Sequence, residues 1–237
     1  MDRQTAALAL RFGLPASAVA RLAALLTLLS DDPLAPTTIR DPGRAVRDHL
    51  ADALVALDLP EVREAGTIAD LGAGAGVPGL PLAIARPHAT VFMVESNRRK
   101  CAFIARAVEA TGTTNAVVVC TRAESWADGI GRCDVVTARA LAPLAVVAEY
   151  AAPLLREGGA LIAWRGRHDP DEEATAAAAS AELGLRYEAP VPVRPHLDAA
   201  HRHLQRLVKI APTPDRFPRR PGMARKRPLG SPRTTGI

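Results

Sequence analysis

The chain has 237 residues, 48% of them hydrophobic and 3% aromatic, with a formal net charge of +5. That length carries one α/β domain with a substantial core plus a small appendage, and the hydrophobic content excludes wholesale disorder. No apolar run reaches the roughly 18 residues of a membrane span, and the N-terminal MDRQTAALALRFGLPASA lacks the uninterrupted apolar core of a signal peptide, so a cytoplasmic protein with no membrane partner is expected.

Residues 1–60 read as a helical appendage. Apolar side chains recur as Leu22, Leu25, Leu26, Leu28 and Leu29, then as Val46, Leu50, Leu54 and Leu57, with Pro33 and Pro36 breaking the pattern between them. From residue 61 to 211 short β-rich runs alternate with helix-length segments. Strands are predicted at 68–71, 90–94, 116–119, 134–137, 160–163, 185–190 and 204–210, and helices at 79–85, 98–110, 144–155 and 171–183. Such alternation calls for a mostly parallel sheet covered on both faces. The last two strands lack a helix between them, which implies an antiparallel C-terminal edge.

Residues 212–237 form a Pro- and Arg-rich tail with seven Lys or Arg and one acid, Asp215. The tail therefore carries +6 and the rest of the chain −1. With few large apolar residues it is expected to be irregular or partly disordered. Cys101, Cys120 and Cys133 are well separated and form no C-x-x-C motif. Neither a disulfide framework nor a zinc site is expected, and each reads as a small buried apolar residue. His201 and His203 alternate on a predicted strand but have no nearby third ligand, so no metal is expected. Trp126 and Trp164 read as packing residues.

The densest motif is Asp70-Leu71-Gly72-Ala73-Gly74-Ala75-Gly76-Val77-Pro78-Gly79, a strand running through a glycine-rich turn into a helix. Glycines there let a ligand approach the backbone. Gly74-x-Gly76-x-x-Gly79 fits a dinucleotide fingerprint, whereas Asp70-x-Gly72-x-Gly74-x-Gly76 fits the loop of Rossmann-like S-adenosylmethionine methyltransferases. Glu95, 21 residues after Gly74, is placed to meet ribose hydroxyls in either case. Asp70 favours the second reading, because a carboxylate beside the loop repels pyrophosphate and attracts a sulfonium and an ammonium.

Further motifs narrow the reading. They are Arg40-Asp41 with His49-Leu50-Ala51-Asp52, the extension of the glycine loop through Gly79-Leu80-Pro81-Leu82, Glu95-Ser96 with Arg99-Lys100, Arg122-Ala123-Glu124, residues 134–140, Arg165-Gly166, Arg202-His203-Leu204, and Phe217-Pro218-Arg219-Arg220-Pro221-Gly222 with Lys226-Arg227-Pro228-Leu229. Over roughly residues 36–229 the chain resembles the RsmG (GidB) family of 16S rRNA guanine-N7 methyltransferases. It departs from that family at Ala35-Pro36-Thr37, where Asn-Leu-Thr is usual, and at Arg165, where Lys is frequent.

The resemblance implies a Rossmann-like S-adenosylmethionine-dependent methyltransferase fold and methylation of the guanine conventionally numbered 527. The partner it implies is 16S rRNA, the small ribosomal subunit or its assembly intermediate, met by a monomer. It places Asp70, Gly72, Gly74, Gly76 and Val77 in the cofactor loop, Glu95 at the ribose, Ala123 and Glu124 near the adenine, and Arg139 at the border of the methyl-transfer site. RNA contacts are expected at His49, Arg165, Arg202, Arg219, Arg220 and Lys226. Guanine N7 has an in-plane lone pair and no proton, so no general base is expected. Arg139 then positions a phosphate, the guanine O6 or the cofactor carboxylate, unless an acid such as Glu124 neutralises it. Removing the tail is expected to weaken RNA binding and to spare the cofactor site; the alternative is that Phe217 and Leu229 anchor the tail onto the domain, so that its deletion destabilises the fold. The competing functions are a methyltransferase of small molecules, a dinucleotide-dependent oxidoreductase and a non-catalytic RNA-binding protein.

Overall fold

The computed structural model describes residues 2–196 and 199–230. Arg233 of the tail lies outside the described residues. Eight strands form one sheet: β1 (Thr67–Leu71), β2 (Thr90–Val94), β3 (Ala116–Val119), β4 (Cys133–Arg139), β5 (Leu155–Arg165), β6 (Leu185–Tyr187), β7 (Val191–Pro192) and β8 (His203–Lys209). The order is β3-β2-β1-β4-β5-β8-β6, with β7 also paired to β8. Strands β1 to β5 run parallel, and β8 is antiparallel to β5, β6 and β7. The antiparallel strand is therefore inserted beside β5 and flanked by β6 and β7, rather than closing the edge itself.

Period-two alternation sends β1 side chains to both faces, and both are covered. Ile68 joins an apolar cluster with Leu80, Leu82 and Ile84 of the helix Gly79–Ala85 and with Phe103 and Ile104 of the helix Arg98–Thr111. Ala69 and Leu71 join the opposite cluster, with Leu144 and Val147 of the helix Leu144–Ala151 and Ala176 of the helix Pro170–Glu182. Local chemistry fixes the helix ends. Asn97 caps the second helix through its side chain, which accepts from the Arg99 and Lys100 amides, and Gly112 ends it in the left-handed region. Asp169 caps the fourth, with Pro170 at its first position.

The helical N-terminal segment shares the first cluster. Leu22, Leu25, Leu26 and Leu29 of the helix Ser17–Asp31 are fully buried there, together with Leu50 and Leu54. Each such leucine contributes roughly 1.5–3 kcal/mol, so this segment is part of the core. No helix among the described residues is long and apolar enough to cross a membrane.

The tail differs from its expectation. It is irregular apart from the turn Met223–Lys226, but through Gly230 it folds back as a strap. Phe217 and Ala224 are buried in the second cluster, with Leu229 packed against it. Phe217 and Leu229 are the anchors of the alternative reading of the tail, and Ala224 adds a third. A buried carboxylate, Glu149, adds a fourth by accepting two hydrogen bonds from Arg219.

Candidate cofactor pocket and substrate border

Strand order reverses between β1 and β4, whose neighbours lead away on opposite sides. In open α/β sheets a crevice forms at such a point, beyond the carboxyl ends of the strands. Here it is a cavity of about 300 Å³ between Leu71 and Gly72 at the end of β1, Val94 and Glu95 at the end of β2, and Ala140 and Leu141 after β4.

The glycine loop shapes one wall. Gly72 has φ +66°, donates its amide to the Val94 carbonyl at 2.8 Å and lines the cavity. A Cβ there would stand 2.5 Å from Leu141 Cδ1. Gly74 and Gly76 also have positive φ. Together with Val77 they shape the loop behind the cavity rather than forming its lining.

Glu95 is 6% exposed and reaches the cavity. Its Oε2 accepts from the Gly74 amide at 3.1 Å and its Oε1 from the Asn97 amide at 2.8 Å. Each oxygen keeps a second lone pair for a ligand hydroxyl. The same carboxylate therefore locks the glycine loop and offers the acceptor that a ribose needs.

Asp70 corrects the charge argument made from the sequence. It is 1% exposed and turned inward, where it accepts from the Gly79 amide and the Thr137 hydroxyl, both at 2.9 Å. It joins the loop to the following helix and does not line the cavity. Burial pushes its carboxyl up to about 7, against those two hydrogen bonds and the more distant charge of Arg139. Because the folded value lies above the ordinary 3.8, the folded state holds a proton that the unfolded chain releases. The stability contributed by that proton is full below about 3.8 and is lost as pH rises through about 7. Asp70→Asn keeps both hydrogen-bonding positions without a charge, so its melting temperature should rise relative to wild type between pH 5 and pH 8. Parallel melting curves for the two proteins would mean that Asp70 is ionised throughout.

Ala123 and Glu124 line the cavity beyond β3, as do Lys100, Tyr150 and Arg225. Glu124 Oε1 accepts from the Gly222 amide of the strap at 3.0 Å, and Arg225 donates to the Leu141 carbonyl at 2.7 Å. The tail thus supplies part of the pocket wall, and its removal would open the cofactor site rather than spare it. Sequence reasoning missed Tyr150 and Arg225, which lie 75 residues apart and meet only through the strap's return.

A second constellation borders the first at the end of β4. Arg139 donates to Asp52 Oδ2 at 2.8 Å and to the Asp48 carbonyl at 3.0 Å. Its partner is Asp52, not Glu124. Asp52 also lies 3.8 Å from Arg202, and its carbonyl accepts from Trp164 Nε1 at 2.6 Å. Asp48 lies in the π-helical turn Val46–Ala51, into which the helical chain from Pro42 widens, and Asp52 directly follows it; such an irregularity often marks a functional site.

His49 lies in the same turn but is buried, with Nε2 2.9 Å from the Thr37 hydroxyl. Burial, assisted by the Arg139 charge, lowers its imidazole to about 4. It is neutral near pH 7 and carries no charge to an RNA phosphate. Among the other expected RNA contacts, Arg165 is held by Glu172 and Arg219 by Glu149, whereas Arg220 and Lys226 are exposed.

Trp126 packs against Phe92, with ring centroids 5.1 Å apart. Cys101 and Cys133 are buried, but Cys120 is exposed, a correction to the reading of all three as buried. His203 stacks on His168, which lies 2.8 Å from Glu173. His168, Glu173 and His203 bring ligating atoms within 4.8 Å of one another, a juxtaposition that the sequence reading of His203 as lacking a nearby third ligand missed.

Comparison with known proteins agrees with this geometry. Residues 24–196 match the family GidB, described as rRNA small subunit methyltransferase G. The chain is 42% identical over 197 residues to ribosomal RNA small subunit methyltransferase G of Chloroflexus aggregans, covering 81% of this chain and 82% of that one. It is 38% identical to the Rubrobacter xylanophilus protein of the same name, over 80% and 75% of the two chains. Among solved structures, a 16S rRNA adenine-N1 methyltransferase from Catenulisporales acidiphilia with bound S-adenosylmethionine gives a TM-score of 0.53 at 20% identity, over 65% of this chain and 90% of that one. That likeness speaks to the fold, which is of the Rossmann-like methyltransferase type.

Proposed function

The chain belongs to the rRNA small subunit methyltransferase G family, and we propose that it transfers a methyl group from S-adenosylmethionine to N7 of a guanine in 16S rRNA, the guanine numbered 527. The observation that carries this reading is the crevice at the strand-order reversal, where Glu95 offers ribose acceptors and the Arg139–Asp52 pair stands beside the cavity. When bound, the cofactor supplies a methyl group on a sulfonium. Transfer of that methyl group would leave the positive charge on the guanine, and Glu95 with the Gly72 loop would hold the donor in place.

That charge movement gives the second constellation its role. An unpaired arginine near N7 would oppose formation of a cationic product. Arg139 is instead paired with Asp52, which is 5% exposed, and Asp48 stands in the π-helical turn just before it. The pair holds the base border rigid, while the carboxylates favour the developing cation. No proton has to leave N7, so these side chains align the base and act on neither a proton nor a nucleophile.

The partner is rRNA, in the small subunit or an assembly intermediate of it. Arg220 and Lys226 are exposed tail cations open to phosphate, whereas neighbouring Arg219 is held by Glu149. The protein is proposed to act as a cytoplasmic monomer. Mapping of N7-methylguanine in 16S rRNA from cells with and without the protein tests the reaction. Retention of the mark in cells lacking it would reject this function. Arg139→Ala should reduce turnover on RNA by about ten-fold or more, the scale of losing a charge-assisted contact, while S-adenosylhomocysteine affinity changes by less than about three-fold. Single-turnover kinetics beside calorimetric titration check this. Equal losses in both would place Arg139 in cofactor binding.

A further inference from the structure

The strap brings a cation to the cofactor cavity that no local motif announces. Gly222, with φ +85°, starts the short helical turn Met223–Lys226. On one side of this turn its amide is tied to Glu124. Inside the turn, Ala224 is 1% exposed and fixes its depth. The next residue, Arg225, lines the cavity. Its guanidinium donates to the Leu141 carbonyl at 2.7 Å, and the Tyr150 side chain lines the same cavity. That bond pre-orients a side chain that would otherwise lose much rotamer freedom on binding.

The position of this cation defines what it meets. Glu95 marks the ribose end at β2, and across the sheet β3 lies on one side of β2 and β1 on the other. A nucleoside with its ribose at Glu95 lays its base toward the segment after β3, where Ala123 and Glu124 stand. The strap is fastened to that same Glu124. A planar guanidinium there offers both a stacking face and free N–H donors to a purine, which has ring nitrogens to accept them.

We propose that Arg225 contacts the adenine of the bound cofactor and so makes the C-terminal strap part of the cofactor-binding site. This rests on S-adenosylmethionine being the cofactor. Glu124 then has a second task, since it holds the strap at the height the base requires.

Calorimetric titration with S-adenosylhomocysteine, and with adenosine in competition, tests the proposal on the full chain. Arg225→Ala should weaken both ligands by about five- to thirty-fold, the scale of one charge-assisted contact at a partly open site. Arg225→Lys should recover only part of the loss, because a point charge lacks the planar fork. Arg227→Ala, in the same strap but away from the cavity lining, should bind as wild type does. Melting temperatures of all three should stay within about 2 °C of wild type, since Arg225 and Arg227 are exposed. Wild-type affinity in Arg225→Ala would overturn the proposal. So would a loss for S-adenosylhomocysteine that adenosine does not share, since that would place Arg225 on the amino-acid end. An equal loss in Arg227→Ala would reduce the effect to general charge. If wild type itself fails to bind S-adenosylhomocysteine, the cofactor assignment fails instead.

Discussion

Gly72→Val is expected to abolish cofactor binding, weakening S-adenosylhomocysteine by about 100-fold or more. Three effects combine. The residue has φ +66°, where a branched side chain is strained by about 1–3 kcal/mol. Its Cβ would stand 2.5 Å from Leu141 Cδ1, so the opposite wall must move. The added methyl groups would then occupy the cavity between Leu71 and Ala140. Strain alone accounts for lost stability, so a control is needed. Gly112 has φ +60°, and a Cβ added there would have nothing within 4 Å. Gly112→Ala should lower the melting temperature and leave affinity intact. Titration of both variants separates the effects. Binding by Gly72→Val within a few-fold of wild type would mean that the ligand does not approach this loop.

Arg219→Met should be the most destabilising surface-proximal change. Glu149 has a side chain only 2% exposed, and its two oxygens accept from Arg219 Nε and Nη2. The bond from Nε measures 2.6 Å. Without its partner the carboxylate is left buried and uncompensated, which costs about 3–5 kcal/mol. In a chain of this size that is a fall of roughly 6–20 °C in melting temperature. The companion Glu149→Met/Arg219→Met should regain most of the loss, because replacing a buried pair with apolar groups of similar volume is often neutral. Thermal melts of the two variants decide the matter. A double variant no better than the single one would show that the strap depends on Arg219 for more than pairing, for instance through its bond to the Arg227 carbonyl.

What the sequence revealed and what it concealed divide along contact range. The boundaries of β2, β3 and the helix Gly79–Ala85 agree with those expected, because alternation and flanking turn residues specify them locally. Strand β5 begins at Leu155 rather than 160, since Arg156, Glu157 and two glycines read as a loop. Gly159 belongs in the strand because a Cβ there would stand 2.8 Å from the Asp134 carbonyl oxygen, beside an irregularity in the β4 register. Glu95 and the glycine loop were legible from spacing alone. Spacing gave the position of Asp70 but not its direction, which depends on Thr137 in the neighbouring strand. The Arg139–Asp52 pair spans 87 residues, and the Glu124–Gly222 bond 98. No periodicity connects such distant positions, so the sequence alone left the tail open between an RNA-contacting arm and a strap anchored by Phe217 and Leu229.

The insertion of β8 between β5 and β6 has a consequence for how the chain is made. Strand β5 is complete at Arg165, but its partner on that side ends at Lys209. At about 5–20 residues per second, the ribosome needs roughly 2–9 s to synthesise the intervening chain. During that interval the apolar β5 strand presents an open row of amides and carbonyls, and β6 has been made with no neighbour to join. Such edges template association between chains. Nascent chains stalled between these two points should therefore be the aggregation-prone species in expression of this protein, and slow codons would be least tolerated there.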